Sequence, residues 1–168
     1  FTHTRVTRDE MGRYIIVEGD LDGKSINLVS LYAPNVGQGE FLQHLSPASF
    51  RNPQAPQVWA GDYNCIHNTA LDRSVPPLPD TLGIQATRSL QQWVHALQLY
   101  DTWRMGHPTD LEYSYYAPGH QVHTRLGYIF CDADLAMRVS GAEYLGRTLS
   151  DHNPLKLSVQ WGRDRAPI

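Results

Sequence analysis

Apolar and polar positions alternate with a period of two along the first third of the chain, and that rhythm predicts strands rather than helices. Residues 2–8 (THTRVTR) set β-branched side chains between polar ones, and residues 13–18 (RYIIVE) repeat the pattern more strongly. Asp22-Gly23 is a strong turn signal ahead of residues 25–32 (SINLVSLY), so these two strands read as a hairpin. Ala33-Pro34-Asn35 ends the second strand, because proline cannot continue a ladder. A short helix is expected at 40–45. Residues 57–60 (QVWA) read as a buried strand running into Gly61, and residues 69–82 are proline-rich and read as a surface loop. The period then changes. Leu90, Trp93, Val94, Leu97 and Leu99 fall near helical spacing and predict an amphipathic helix over 87–99 with Thr87 as its cap. Residues 113–116 and 122–131 flank Pro118-Gly119 as a second hairpin, and 155–161 alternate as a final strand should.

Strands outnumber helices and both ends of the chain are strand-rich. That arrangement predicts one domain over residues 1–168, an α/β fold of two β-sheets packed face to face with flanking helices. No repeat or low-complexity segment interrupts it. Length and composition agree: 168 residues with 41% hydrophobic and 18% charged content can bury a substantial core and do not describe a disordered chain. A net charge of -3 does not announce a nucleic-acid binder, although a nuclease can place positive charge locally and draw more from a metal. Lys24 and Lys156 are the only lysines, so nearly all the positive charge is arginine, suited equally to bidentate phosphate contacts and to ion pairs. Cys65 and Cys131 have no metal-site spacing and are expected to be buried free thiols, which makes a reducing intracellular compartment the default. No membrane-length apolar run and no signal peptide is present. The chain starts at Phe1 in a strand-like segment, which reads as a fragment or excised domain.

The candidate chemistry lies in two short stretches far apart in the chain, Gly61-Asp62-Tyr63-Asn64 and Ser150-Asp151-His152-Asn153-Pro154. Acid, amide and imidazole groups at strand ends are the parts needed to cleave a phosphate ester with a divalent metal. Asp62 and Asn64 share a side if the backbone stays extended, so that one manages a proton while the other donates to a phosphate oxygen. Each stretch also has a plain reading. Gly-Asp-x-Asn is good turn chemistry, Ser-Asp-His suits a capping loop, and Tyr32 and Asn35 alone are a strand end and a turn.

Taken in order, Tyr32-Ala33-Pro34-Asn35, Gly61-Asp62-Tyr63-Asn64, Thr124-Arg125-Leu126-Gly127-Tyr128-Ile129-Phe130 and Ser150-Asp151-His152 resemble the endonuclease/exonuclease/phosphatase superfamily. Leu71-Asp72-Arg73, the 93–103 segment (WVHALQLYDTW) and His107-Pro108 leading into Tyr113-Ser114-Tyr115 resemble the endonuclease domain of LINE-type (non-LTR) retrotransposons. The resemblance implies a DNase I-like sandwich, N-terminally truncated here. It implies a Mg²⁺- (or Mn²⁺-) dependent hydrolase that nicks double-stranded DNA in the nucleus to prime reverse transcription.

In that family pattern Asp62, Asn64, Asp151 and His152 match the catalytic positions. Asp62 and Asp151 match carboxylates at the metal. Tyr32 and Asn35 match phosphate contacts. Arg73, Tyr116, His120 and Arg125 are assigned to DNA, with surface ion pairs the other reading for the two arginines. Tyr113 and Tyr115, at alternate strand positions, are expected to share a face turned to the core. Two departures stand out. Gly127 occupies the place of an aspartate that would orient the histidine, and the N-terminal Glu-bearing segment of the pattern is absent, which implies another chain or segment completing the fold. The alternatives implied are a catalytically inactive DNA- or protein-binding derivative, and a phosphoesterase acting on phospholipid or inositol phosphate.

Overall fold

The computed structural model describes residues 1–75, 82–146 and 150–162. Its centre is a six-stranded sheet built from β1 (Thr2–Arg8), β2 (Tyr14–Leu21), β3 (Lys24–Tyr32), β4 (Gln57–Asp62), β5 (Tyr100–Asp101) and β8 (Gly127–Cys131). The strand order is β1-β2-β3-β4-β8-β5, antiparallel except for the parallel pair β3 and β4. The hairpin between β2 and β3 turns at Asp22 and Gly23, both at positive φ (50° and 78°), as a tight two-residue hairpin turn requires.

Each face of this sheet is covered by a different layer. On one face Ile16, Val29, Trp59 and Phe130 pack against Leu42 of α1 (Gln38–His44) and Leu90, Trp93 and Val94 of α2 (described over Leu82–Ala96). On the other, Ile26 and Cys131 pack with Leu135 and Ala136 of α4 (Ala133–Ala136) and with half-buried Val139 and Val159. Those two valines belong to a two-stranded sheet of β9 (Val139–Tyr144) and β10 (Leu155–Val159). Two sheets therefore face each other with helices outside, and the period-two alternation of β3 and β4 is what feeds both cores. Both cysteines are buried free thiols, and burial pushes each up to about 12.

Three local expectations are corrected. The 122–131 segment is not one strand. It splits into β7 (Val122–Thr124), paired with β6 (Tyr115–Ala117) in a small hairpin, and β8 in the central sheet, with Arg125-Leu126 as the break. Buried polar contacts of Arg125 hold that break, and no hydrophobic pattern records them. Thr87 is not a cap: it lies buried inside α2, its hydroxyl donating to the Gly83 carbonyl. The helix starts earlier because 82–86 are compatible with it, while part of the loop expected at 69–82, residues 76–81, lies outside the described residues. Short elements with little periodicity also escaped the pattern: β5, α3 (Thr102–Gly106), α4 and β9.

Candidate active site

The register of the central sheet builds the site. Tyr32 pairs with Asp62 across β3 and β4, and Asp62 pairs with Gly127 across β4 and β8. Paired positions share a face, so these positions stand side by side at one end of the sheet, on the face that carries β9 and β10. Gly61 lets β4 lie close against β3 just before Asp62. Its φ is 151°, and a Cβ at that position would lie 1.9 Å from the Leu31 carbonyl oxygen, so only glycine fits. Asn64 adopts the left-handed conformation (φ 50°). Its N–H donates to Asp62 Oδ1 at 2.9 Å and its side-chain amide donates to the Ala33 carbonyl at 2.7 Å. The Gln38 side chain joins the loops after β3 and β4 by donating to the carbonyls of both Asn35 and Asn64.

His152 reaches this place from the segment that leads into β10. Its Nε2 lies 3.8 Å from Asp62 Oδ2. A backbone bridge ties His152 to Tyr115, and the two rings lie against each other, tilted by 36°, with centroids 4.9 Å apart. Asn153 anchors the same segment twice, through its N–H to the Ser114 carbonyl and its side-chain amide to the Tyr113 carbonyl. The Asp62 carboxyl is raised above its usual range. Burial is the main cause and the Asp151 charge adds to it, while the Asn64 N–H and His152 act in the opposite sense. A carboxyl so placed is suited to holding or moving a proton.

The other sequence-assigned residues divide. Asn35, Asn64 and Arg73 line one cleft of about 790 Å³ beside the Asp62 end of the sheet, together with Thr124 and Leu126. The Arg73 Nε is buried there without a hydrogen-bond partner among the described residues. Tyr32 is exposed and lies under the Arg13 guanidinium, 5.2 Å from the ring centre. Tyr116 packs on His123 at 4.5 Å in the β6–β7 hairpin, and His120 is exposed at its tip.

Arg125 is not available to DNA, and its assignment to a DNA contact is corrected. It is fully buried, its guanidinium held by Asp72 (2.8 and 3.1 Å) and Asp101 (2.6 and 3.1 Å), with Arg104 also on Asp72 at 2.7 Å. Tyr113 and Tyr115 do not share a partner: Tyr113 lies against His123, Tyr115 against His152, and Ser114 between them is the buried residue. Residue 114 precedes the start of β6, so strict alternation does not hold across it.

Tyr115 at the Asp62 end of the sheet and Asp101 beside Arg125 are not expected from the sequence motifs. An aspartate in the apolar setting of 99–103 (LYDTW) is the only signal that pointed to a buried partner for an arginine.

Among the described residues, no three His, Cys, Asp or Glu side chains converge as a metal cage. The Asp62 and Asp151 carboxylates are nevertheless close enough for one to raise the other. A hard cation taking oxygen from both, with water in its remaining positions, relieves that repulsion, so the donors present fit a magnesium-type ion held by few protein ligands.

No family model matches the chain. It is 26% identical over 153 residues to a transposon TX1 uncharacterized 149 kDa protein of Xenopus laevis, a match covering 88% of this chain and 11% of that protein. The chain thus spans about a tenth of that curated relative. Among solved structures it is similar to an AP endonuclease from Archaeoglobus fulgidus, with a TM-score of 0.72 and 19% identity over 95% of this chain and 72% of that one. It is also similar to an AP endonuclease from Leishmania major, with a TM-score of 0.71 and 20% identity over 92% of this chain and 56% of that one.

Proposed function

We propose that this chain, which has the DNase I-like fold of the endonuclease/exonuclease/phosphatase superfamily, belongs to an endonuclease that hydrolyses a phosphodiester bond of double-stranded DNA with Mg²⁺ or Mn²⁺. The similarity to a transposon protein is compatible with a role in transposition; in this reading the nick supplies a 3′ hydroxyl for reverse transcription, with access to DNA in the nucleus.

The observation that carries the reading is the meeting of Asp62 and His152, 90 positions apart in sequence, at 3.8 Å beside Asn64 and Asp151. Asp62 takes a proton from the attacking water or returns one to the leaving oxygen. The Asn64 backbone fixes the orientation of that carboxylate. His152 faces the charge that builds on the phosphorus oxygens, and Tyr32 and Asn35, at the end of β3 and just beyond it, meet the flanking phosphate. Asp62 and Asp151 would hold the metal, which supplies charge neutralisation at the phosphate and a more acidic water.

The test is conversion of supercoiled plasmid to the nicked form. Nicking by the chain with Mg²⁺, abolished by EDTA and by Asp62→Ala, is the expected result. Nicking that survives both changes overturns the reading.

One observation favours a second reading, a DNA- or protein-binding derivative that does not cleave. Position 127, beside Asp62 in the register, is glycine and puts no carboxylate next to His152. DNA retained in a gel-shift assay, with no nicking at any Mg²⁺ or Mn²⁺ concentration, supports that alternative.

A further inference from the structure

With glycine at position 127, His152 has no carboxylate from β8 behind it, yet three contacts fix its place, and all come from one short stretch. The Tyr115 ring covers the imidazole at 4.9 Å with 36° between planes. The backbone of Tyr115 bridges that of His152. Asn153 is held to Ser114 at 2.7 Å and to Tyr113 at 3.0 Å. Ser114 in turn accepts the N–H groups of Leu126 and Gly127 through its hydroxyl, at 2.8 and 2.9 Å, so this stretch is seated on the start of β8 opposite Asp62. The next residue, Tyr116, turns to the other side of the hairpin and packs on His123 at 4.5 Å with the rings tilted by 31°. One hairpin thus presents one tyrosine to His123 and its neighbour to the candidate catalytic imidazole.

We propose that Tyr115 is the positioning residue for His152, its ring restricting the orientation of the imidazole that faces Asp62. The proposal rests on the nuclease reading for its kinetic consequence but not for its structural one. A ring packed obliquely against the imidazole at 4.9 Å restricts its rotation and leaves Nε2 turned toward Asp62, which a hydrogen bond from behind would also achieve by a different route. The tyrosine hydroxyl takes no part in this, so phenylalanine should serve in its place.

Two readouts test it on Tyr115→Phe and Tyr115→Leu, with Tyr116→Leu as the control on the other side of the hairpin. The first needs no activity. In proton NMR of the whole chain, the His152 ring protons are shifted by the ring current of Tyr115, a shift kept in Tyr115→Phe, lost in Tyr115→Leu and unmoved in Tyr116→Leu. The second is plasmid nicking. Tyr115→Phe keeps kcat within about twofold, whereas Tyr115→Leu lowers it by about 10–100-fold with KM nearly unchanged, the size of loss that misplacing a group by about 1 Å produces.

His152 resonances that are the same in all three variants overturn the proposal whether or not the chain nicks DNA. Loss of kcat in Tyr115→Phe equal to that in Tyr115→Leu also overturns it, because the hydroxyl would then be the active part. A chain that never nicks but shows the expected NMR pattern sinks the nuclease reading and leaves the positioning contact standing.

Discussion

Two polar clusters lie within this chain, one centred on the Arg125 guanidinium and one on the Asp62 carboxyl, and they are built to opposite specifications. Around Arg125, every polar atom of the guanidinium has a partner, two carboxylates close on it, and the rings of Tyr128 and Trp103 lie at 4.5 and 5.3 Å. Burial works against the charge, but Asp101 and Asp72 outweigh it and hold the guanidinium above its usual value. Around Asp62 the partners are sparse, His152 is 3.8 Å away, and burial leaves the carboxyl raised. The Arg125 guanidinium is satisfied and sealed, although Nε of the neighbouring Arg104 is buried without a hydrogen-bond partner among the described residues. The Asp62 cluster is under-satisfied and open to a ligand. A sealed network specifies a structure, whereas one that leaves charge uncompensated is ready to receive a substrate or a metal.

The largest expected effect comes from breaking the sealed cluster. Arg125→Met removes the cation from between two buried aspartates and should cost about 3–5 kcal/mol, read as a lower urea midpoint with an unchanged slope. A loss under about 1 kcal/mol would show that the network is no more than a surface pair.

Its pH dependence sharpens the point. Burial pushes Asp72 up, but the hydrogen bonds and charge of Arg125 prevail, so its folded value lies below the unfolded one. The stability this gives is complete above the unfolded value and disappears as pH falls through the folded value. Acid titration of the urea midpoint should therefore show stability lost below the ordinary carboxylate range in the native chain. In Arg125→Met burial prevails and the folded value moves up toward or past the unfolded one, so this acid loss should shrink or change sign. Coincident curves would mean that Asp72 does not report on Arg125.

The next effect comes from making the open cluster more like the sealed one. A Cβ at Gly127 would meet Ser114 Oγ at 3.5 Å, an ordinary contact, so a side chain fits. Gly127→Asp places a carboxylate on the face shared with Asp62, beside His152. Plasmid nicking should rise by about tenfold, equivalent to about 1.4 kcal/mol of added orientation and charge stabilisation. If nicking falls, repulsion between two facing carboxylates has outweighed the benefit, and the open design is the better one for this chain.

The contrast also explains what could be read from the sequence. The β2–β3 hairpin, β4 and β10 follow from alternation and turn chemistry, and both candidate stretches stand out because polar residues crowd the ends of apolar strands. The register that lines up Tyr32, Asp62 and Gly127 depends on long-range pairing, which no local pattern contains. Arg125 was misassigned for the same reason. Its partners lie 53 and 24 residues away, and an arginine among polar and apolar neighbours looks alike whether it faces phosphate or a buried aspartate. Tyr115 was read as core because alternation was carried back to Tyr113, although β6 begins only at Tyr115.

The smallest expected effect on stability is the one that separates the clusters most cleanly. Neutralising a carboxylate in the Arg125 network removes a satisfied charge, so Asp72→Asn should destabilise. Neutralising Asp62 removes a charge the fold disfavours. Its folded value lies above the unfolded one, so ionisation works against the fold once pH exceeds the unfolded value, reaching its full cost above the folded value. Asp62→Asn should therefore raise the urea midpoint at neutral pH, by about 0.5–1 kcal/mol in stability, while nicking falls by about 10²–10⁴. The gain should shrink as pH falls and vanish once both states protonate. A variant that loses stability and activity together would place Asp62 with the sealed cluster, as a structural turn residue. A variant that gains one while losing the other identifies a group held in an unfavourable state for the chemistry it performs.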